Sequence, residues 1–271
     1  MTNPAYVLGH SDFELERLAR QERLVGPATR AYFESAGIGA GMRVLDIGSG
    51  TGLVAFHAAE LVGPSGQVIG SDLSPVAVAA ATAGAAARSL AHVSFRLGNP
   101  VEMTFEQPFD AIVGRYVLMF QADASGMLRR LAKLLRPGGV IAFHEPDWSL
   151  ARSYPAAPAY DACIRWIIET FSRVGTDTNM GAKLHRAFLD AGLPSPTMRM
   201  QALIGDAATS SEFLRSMAEL AIVLAPTIEE QGVASIAEIG CDTLAERIVR
   251  DVTTNRSMVI GRAEIGAWVR P

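Results

Sequence analysis

A run of glycines directly after an apolar strand constrains this chain more than any other feature of its sequence. Residues 44–52 read VLDIGSGTG, so Gly48, Gly50 and Gly52 lie between a strand and the start of a helix. Glycines in such a turn permit positive φ and let a ligand approach the backbone closely. The helix that follows begins with unpaired N–H groups and partial positive charge. The segment therefore predicts a site for a ligand carboxylate or phosphate.

Around this turn the sequence alternates between short apolar strands and helices, which indicates the class of fold. The predicted strands are residues 43–47, 67–71, 92–97, 110–114 and 139–144, and the helices between them are 52–61, 75–88 and 124–135. Strands without a polar face, separated by helices, are typical of a parallel sheet that is covered on both sides. We therefore predict an α/β protein with a doubly wound, mostly parallel sheet.

The two ends of the chain are predicted to add further elements. Residues 11–14, SDFE, are typical of a capping box that opens a helix. The Gly26-Pro27 pair predicts the end of that helix, before a second short helix at 28–35. Beyond the fifth strand, apolar spacing predicts helices at 160–171 and 213–224, and strands at 198–204 and 258–269.

Composition excludes several classes of protein. The 271 residues are 49% hydrophobic with a net charge of −4, which favours neither nucleic acid nor an anionic membrane as partner. The two cysteines, Cys163 and Cys241, are too few for a disulfide framework and lack metal-ligand spacing. The first residues contain no basic segment followed by an apolar run, so we expect no signal peptide and a cytoplasmic location.

Asp72, at the end of the second strand, narrows the kind of ligand. A carboxylate at this place can accept two hydrogen bonds from a ribose diol, and both dinucleotide and nucleoside sites use one. A dinucleotide fingerprint needs a third glycine three residues after Gly50, whereas position 53 is leucine. The spacing therefore favours a nucleoside that carries a carboxylate over a pyrophosphate ligand.

These residues together resemble the class I S-adenosylmethionine-dependent methyltransferases. Residues 44–52 are similar to the family's first motif, Asp72 to its ribose-binding acid, and Asn99 to its acceptor for the adenine amino group. Residues 109–113 and 135–139 are similar to the fourth strand and to the turn before the fifth. The resemblance implies a Rossmann-like, seven-stranded sheet in the order 3-2-1-4-5-7-6 with helical lid insertions, and S-adenosyl-L-methionine as the cofactor.

The resemblance also implies which residues bind the cofactor. Pro100, after Asn99, has no N–H to offer adenine. Arg115 could bind the methionine carboxylate or form a structural salt bridge. Tyr6 and Gln21 belong to a pattern that resembles a bacterial branch in which the first helix closes over the cofactor, and padding of the sheet is the alternative. The expected cofactor contacts are Asp46, Gly48, Ser49, Gly50, Gly52, Asp72, Leu73, Asn99, Pro100, Arg115, Tyr6 and Gln21.

Two residues at the end of the fifth strand are the candidates for catalysis. His144 and Glu145 come where open α/β sheets bind ligands, at the carboxyl ends of the strands. Imidazole is the better matched base, because its unperturbed pKa lies near neutral pH. A structural hydrogen bond is the alternative role for each. We expect no metal ion to be required.

The acceptor is predicted to be a small molecule. The fourth strand continues as GRYV, without the Asp/Asn-Pro-Pro-aromatic run of nucleic-acid amino methyltransferases, and neither cysteine follows a proline. Apolar helices in residues 148–271 suggest a partly lipophilic acceptor. We therefore divide a single domain into a helical cap (1–40), a cofactor-binding core (41–147) and a substrate side (148–271), with no nucleic acid or membrane partner.

Two other functions and the oligomeric state stay open at this point. A nicotinamide-dependent oxidoreductase also needs a glycine turn and an acid, and only the missing third glycine counts against it. A non-catalytic nucleoside-binding module of the same fold would keep the same residues. A homodimer is likewise left open.

Overall fold

The structure, a computed structural model, describes residues 12–271, with side chains from Arg17 onward. The chain forms two compact units. The larger consists of Val25–Glu145, Met180–Met200 and Ile265–Pro271. The smaller consists of the chain up to Leu24, together with Pro146–Asn179 and Gln201–Glu264.

Five parallel strands form the sheet of the larger unit. They are β1 (Arg43–Ile47), β2 (Gln67–Asp72), β3 (Val93–Leu97), β4 (Phe109–Arg115) and β5 (Leu135–Asp147), the last of which ends in the smaller unit. The helices between them are α2 (Leu53–Val62), α3 (Pro75–Ala87) and α4 (Ala124–Ala132). In the central strand, Leu45 is fully buried and lies opposite Ile69 on one side and Ile112 on the other. The predicted parallel α/β sheet is therefore confirmed.

The strand order agrees with the order that the resemblance implies. Hydrogen-bonded neighbours follow the order β3-β2-β1-β4-β5-β8, and β7 (Thr197–Gly205) pairs with β8 (Met258–Val269). With β7 and β8 as the sixth and seventh strands, this is the order 3-2-1-4-5-7-6. The sequence analysis does not predict an eighth strand, β6 (Arg152–Tyr154), which pairs antiparallel with the start of β8 in the smaller unit. Its three residues are too few to show a period.

The first helix differs from the prediction at Gly26-Pro27. Helix α1 runs without a break from Asp12 to Ser35 and contains Pro27, so the predicted end there was wrong. A proline inside a helix costs about 3 kcal/mol, whereas burying one large apolar side chain gains about 1.5–3 kcal/mol. Tyr32 and Phe33 are both almost completely buried beyond the proline, and their packing outweighs the proline's cost. Ser11 of the predicted capping box lies outside the described residues.

The predicted turn at residues 136–139 is a bulge inside β5. Helix α4 ends at Ala132, and β5 begins at Leu135, opposite Phe109. The register then shifts, so that the next pair is Ala111 with Val140. Gly138 has a φ of 77° within the bulge. The prolyl and glycyl residues that suggested a turn therefore interrupt the pairing without ending the strand.

Helices form the core of the smaller unit. The predicted helices are present as α5 (Pro158–Arg173) and α7 (Ser211–Glu230), and α8 (Ile236–Ile239) and α9 (Leu244–Thr254) follow them. Helices α8 and α9 were not predicted, and neither was α6 (Met180–Asp190) in the larger unit. The apolar stripes of α5 and α7 pack together in one buried cluster. This packing accounts for the stripes, so they no longer indicate a lipophilic acceptor. Across the described residues, no helix combines the length and hydrophobicity that spanning a bilayer requires.

Candidate functional site

The glycine turn after β1 presents different surroundings at its two later glycines. Gly50 and Gly52 both have left-handed backbones, with φ of 52° and 89°. A Cβ on Gly50 would have no atom of the described residues within 4 Å, so this part of the turn is open. A Cβ on Gly52 would lie 2.8 Å from the ring of Phe95 and 2.9 Å from that of Phe56. Gly50 can therefore face a ligand, whereas Gly52 makes room for core packing.

Asp72 joins the end of β2 to the glycine turn. Its Oδ2 accepts the Gly50 N–H at 2.8 Å, and its Oδ1 accepts the Ser74 N–H at 2.8 Å. Because each carboxylate oxygen has more than one lone pair, both can also accept from a ligand hydroxyl. The acid that the sequence singled out is thus held rigidly beside the open face of Gly50.

Asp46, near the end of β1, is a buried carboxyl group without normal hydrogen bonding. Burial raises its pKa well above the usual range; Arg115 works against this rise, and Asp72 adds to it. The Ala55 N–H also lowers the pKa, although neither oxygen of Asp46 has a partner at full hydrogen-bond geometry among the described residues. Most buried polar atoms have such a partner. A cationic ligand group would supply the missing one.

Two serine hydroxyls are also buried without a hydrogen-bond partner among the described residues. Ser49 Oγ in the turn and Ser71 Oγ in β2 are buried and have no hydrogen-bond partner among the described residues. The backbones of the two serines are bonded, since the Ser49 N–H donates to the Ser71 carbonyl at 2.9 Å. An orphaned carboxyl group and two orphaned hydroxyls at neighbouring strand ends fit the ammonium and hydroxyl groups of an amino-acid-bearing nucleoside.

Exposed leucines flank the acid at the end of β2. Leu73 directly follows Asp72 and is 69% exposed, and Leu97, opposite Asp72 in β3, is 56% exposed. Single exposed leucines are ordinary on protein surfaces. Two exposed leucines beside a candidate ribose-binding acid are suited to contact a flat base. The cofactor contact of Leu73 stays a prediction.

Asn99 has a structural role of its own. Its Oδ1 accepts the Val101 N–H at 3.3 Å, and its Nδ2 donates to Glu102 Oε1 at 3.0 Å. The side chain thereby caps the short 3-10 turn Pro100–Glu102, in which Pro100 is buried. The capping bond occupies one lone pair of the amide oxygen that was predicted to accept from adenine. The adenine contacts of Asn99 and Pro100 stay predictions.

Arg115 and His144 meet at a residue that the sequence analysis missed, Thr29 of α1. Arg115 NH1 donates to Thr29 Oγ1 at 2.9 Å, and the same oxygen lies 3.0 Å from His144 Nδ1. All of His144 is buried, and its ring forms T-shaped contacts with the rings of Tyr32 and Tyr116 at centroid distances of 5.1 and 5.5 Å. A threonine within a helix carries no sequence signal of such a role, because only the fold brings β4 and β5 to it.

Glu145 fastens the segment that follows β4. Its Oε1 accepts the N–H groups of Val117 and Leu118 at 2.9 and 2.7 Å, and its Oε2 accepts that of Met119 at 3.2 Å. Tyr116, the residue before Val117, has a φ of 57°, which is costly for a residue with a Cβ. Three backbone donors on one buried carboxylate favour the structural alternative for Glu145 over catalysis.

The cofactor contacts of Tyr6 and Gln21 stay predictions. Tyr6 lies outside the described residues. Gln21, in the α1 segment of the smaller unit, accepts a hydrogen bond from Arg17 NH1 at 3.0 Å. Among the described residues, no group of three or more His, Cys, Asp or Glu side chains is placed to hold a metal ion. Both cysteines are free thiols.

Relatives with known names match a little under half of this chain. Nocamycin O-methyltransferase of Saccharothrix syringae is 37% identical over 132 residues, 46% of this chain and 47% of the relative. Aklanonic acid methyltransferase of Streptomyces sp. strain C5 is 40% identical over 119 residues, 44% of this chain and 54% of the relative. The matches thus span about half the length of each relative.

A solved structure and a family model extend the comparison. Geranyl diphosphate C-methyltransferase from Streptomyces coelicolor A3(2) has a similar fold, with a TM-score of 0.55 at 17% identity over 98% of this chain and 88% of that one. A family model described as a methyltransferase domain matches residues 38–192. The chain therefore belongs to the methyltransferase domain family, which confirms the resemblance of its sequence to the class I S-adenosylmethionine-dependent methyltransferases.

Proposed function

We propose that this protein transfers a methyl group from S-adenosylmethionine to a small organic acceptor by in-line displacement. The proposal rests on the buried carboxyl group of Asp46, which has no hydrogen-bond partner among the described residues, and on the Asp72–Gly50 hydrogen bond. When bound, S-adenosylmethionine supplies a methyl group on a sulfonium centre that is already activated. The chain's own task is to hold cofactor and acceptor in line and to exclude water.

Each end of the cofactor has a matching group in the larger unit. Asp46 would accept from the ammonium group, and Asp72 from the ribose hydroxyls. The start of α2 has no side-chain cap and no acidic residue in its first turn, so its N–H groups would favour the carboxylate. Leu73 and Leu97 would contact the base. This division keeps the proposal that residues 41–147 bind the cofactor.

The names of the relatives support the class of acceptor. They are named for nocamycin and aklanonic acid, which favours a small molecule over a macromolecule as the acceptor of this chain. We assign His144 as the candidate proton acceptor for a hydroxyl acceptor, since it lies in β5 opposite Arg115, the last residue of β4. Glu145 is assigned a positioning role, because its carboxylate already holds three backbone N–H groups.

Isothermal titration of the purified chain tests the cofactor. We expect saturable binding of S-adenosylhomocysteine and none of NAD. Asp72→Ala should weaken binding about 10-fold or more, since it removes charge-assisted hydrogen bonds worth about 1.5–3 kcal/mol each. Asp190→Ala, which removes an exposed acid paired with Arg186, is the matched control and should bind normally.

The outcomes separate the three candidate functions. Binding of NAD alone would support the oxidoreductase instead. A non-catalytic module would bind S-adenosylhomocysteine but transfer no label from methyl-labelled cofactor to any acceptor in a small-molecule extract. Transfer of the label to a compound in that extract would support the proposed activity.

A further inference from the structure

We propose that Val117 and Glu145 are positioning residues that hold the glycine turn after β1 in the shape that binds the cofactor. The inference rests on the proposed function, in which this turn binds S-adenosylmethionine. The two residues act in series. The carboxylate of Glu145 holds the backbone that carries Val117, and the side chain of Val117 packs on Gly48, the first glycine of the turn. All three residues belong to the larger unit.

The side chain of Val117 supports the turn at Gly48. The backbone of Gly48 is left-handed, with a φ of 59°. A Cβ built on this glycine would lie 2.8 Å from Cγ2 of Val117 and 3.5 Å from its Cγ1, so both methyl groups of the valine pack against it. A Cβ on Gly50 would have no described atom within 4 Å. The turn is therefore supported at its first glycine and open to a ligand at its second.

Strand pairing brings the two residues together. Gly48 follows Ile47, the last residue of β1, and Ile47 lies opposite Gly114 in β4. Val117 comes three residues after Gly114, beyond the end of β4. Between them, Tyr116 has a left-handed backbone, which persists in a residue with a Cβ only where the surrounding structure holds it. The position of Val117 therefore depends on contacts from outside its own strand.

The buried carboxylate of Glu145, in β5, supplies these contacts. It accepts the N–H groups of Val117, Leu118 and Met119 at 2.9, 2.7 and 3.2 Å. These donors begin the short 3-10 turn after β4, for which the side chain of Val117 provides no cap. Hydrogen bonds to an ionised acceptor are stronger than those between neutral groups. Loss of the carboxylate would therefore loosen the backbone of Val117 and, through its side chain, the support of Gly48.

Titration with S-adenosylhomocysteine compares three valine variants. Val117→Ala removes both methyl groups that pack on Gly48, and we expect an affinity about 3- to 30-fold weaker, as for residues that act on a ligand without touching it. Val117→Ile keeps both branches and should bind like the wild type. Val252→Ala is the matched control, because it makes the same change at a buried position in α9 of the smaller unit. It should lower stability and leave the affinity unchanged.

A double variant tests whether the two residues act in series. Glu145→Gln should weaken binding by a factor similar to that of Val117→Ala. If both act through the contact with Gly48, the double variant should bind about as weakly as the weaker single variant, because residues that share a contact are not additive. If Glu145→Gln does not fold, the comparison of Val117→Ala with Val252→Ala carries the test alone.

Amide hydrogen exchange of the ligand-free protein reports on the turn without the cofactor. The N–H groups of Ser49, Gly50 and Gly52 are hydrogen-bonded within the larger unit, so their exchange is slowed while the turn keeps its shape. Val117→Ala should speed this exchange more than Val252→Ala does, since only the first variant removes the support of the turn.

Three results would overturn the inference. They are an unchanged affinity in Val117→Ala, equal exchange of the turn in Val117→Ala and Val252→Ala, and losses of affinity that multiply in the double variant. Absent binding of S-adenosylhomocysteine to the folded wild type would contradict the proposed function instead. Hydrogen exchange would then decide by itself whether Val117 supports the turn.

Discussion

Asp72 accepts the backbone N–H of Gly50 at 2.8 Å, so the acid at the end of β2 is hydrogen-bonded to the glycine turn that follows β1. The two parts of the predicted cofactor motif are therefore joined within the protein itself. Their common edge also contains the buried carboxyl group of Asp46. The predictions below follow from the different surroundings of these carboxyl groups and glycines.

Replacing Asp46 by asparagine should stabilise the protein at neutral pH. Burial raises the pKa of Asp46, so the folded state binds a proton more tightly than the unfolded state does. This group's contribution to the free energy of unfolding therefore falls as pH rises from the unfolded pKa to the raised folded pKa. Asp46→Asn removes that cost, and thermal unfolding at pH 7 should show Tm higher by about 2–4 °C for each kcal/mol relieved. An unchanged or lower Tm would contradict the burial cost assigned to Asp46.

The pKa of Asp110 is shifted in the opposite direction to that of Asp46. Burial alone would raise its pKa, but the Arg43 N–H and the Arg136 guanidinium outweigh burial and hold the pKa below its usual value. Its stabilising contribution is present above the unfolded pKa and is lost as pH falls through the folded pKa. We expect Asp110→Asn to lower Tm at pH 7, with a deficit that shrinks as pH falls through the lowered pKa of Asp110. A deficit that does not vary with pH would contradict this.

Binding of S-adenosylhomocysteine should become tighter as pH rises through the raised pKa of Asp46. An ammonium group on the ligand favours the ionised carboxylate, so a protonated Asp46 must release its proton on binding. Calorimetry in buffers with different ionisation enthalpies should detect this release. Asp46→Asn should bind more weakly, with an affinity less dependent on pH. If the wild type and Asp46→Asn release the same number of protons on binding, the protons come from a group other than Asp46, and the prediction is contradicted.

The two later glycines of the turn should respond differently to alanine. Gly50→Ala places a methyl group in open space, so we expect only the cost of the left-handed backbone, about 1 kcal/mol, with a marked loss of ligand affinity. Gly52→Ala places the methyl group against Phe95 and Phe56 and should add an overpacking cost of about 1–3 kcal/mol. Denaturant unfolding measures the stability of the two variants, and titration with S-adenosylhomocysteine measures their affinity. Equal stability of the two variants would remove the distinction between them.

Glu145→Gln tests whether that side chain positions the backbone. The amide keeps one acceptor oxygen and points an NH₂ group at a backbone donor, so we expect a loss of about 2–4 kcal/mol in the free energy of unfolding. Glu60→Gln, at an exposed helix position, is the matched control and should change stability by about 0.5 kcal/mol or less. A stable Glu145→Gln protein that has lost methyl transfer would instead support catalysis by Glu145.

The sequence predicted the central sheet well for a physical reason. Strands such as β1 are buried on both faces, so they appear as mostly apolar runs between turn residues. Prediction was wrong at Pro27, where the packing of α1 outweighs a local cost, and at 136–139, where the strand continues although turn residues interrupt its pairing. Helix α9 shows buried residues at helical spacing, Leu244, Ile248 and Val252, so its signal was available and missed.

The candidate site was predictable only where a residue's role depends on its neighbours in sequence. Asp72 ends its strand, and Gly50 lies in a recognisable turn, so spacing alone identified both. The contacts of Thr29 with Arg115 and His144 join three segments far apart in the chain, and no local pattern encodes them. The structural roles of Asn99 and Glu145 depend on backbone N–H groups, which every residue type except proline offers.

Whether the acids at the ends of β1 and β2 bind the cofactor is decided by titrating the wild type, Asp46→Asn and Asp72→Ala with S-adenosylhomocysteine at pH 7. We expect one saturable site in the wild type and an affinity at least about 10-fold weaker in each variant. Absence of binding to the folded wild type, or equal affinity in all three proteins, would contradict it.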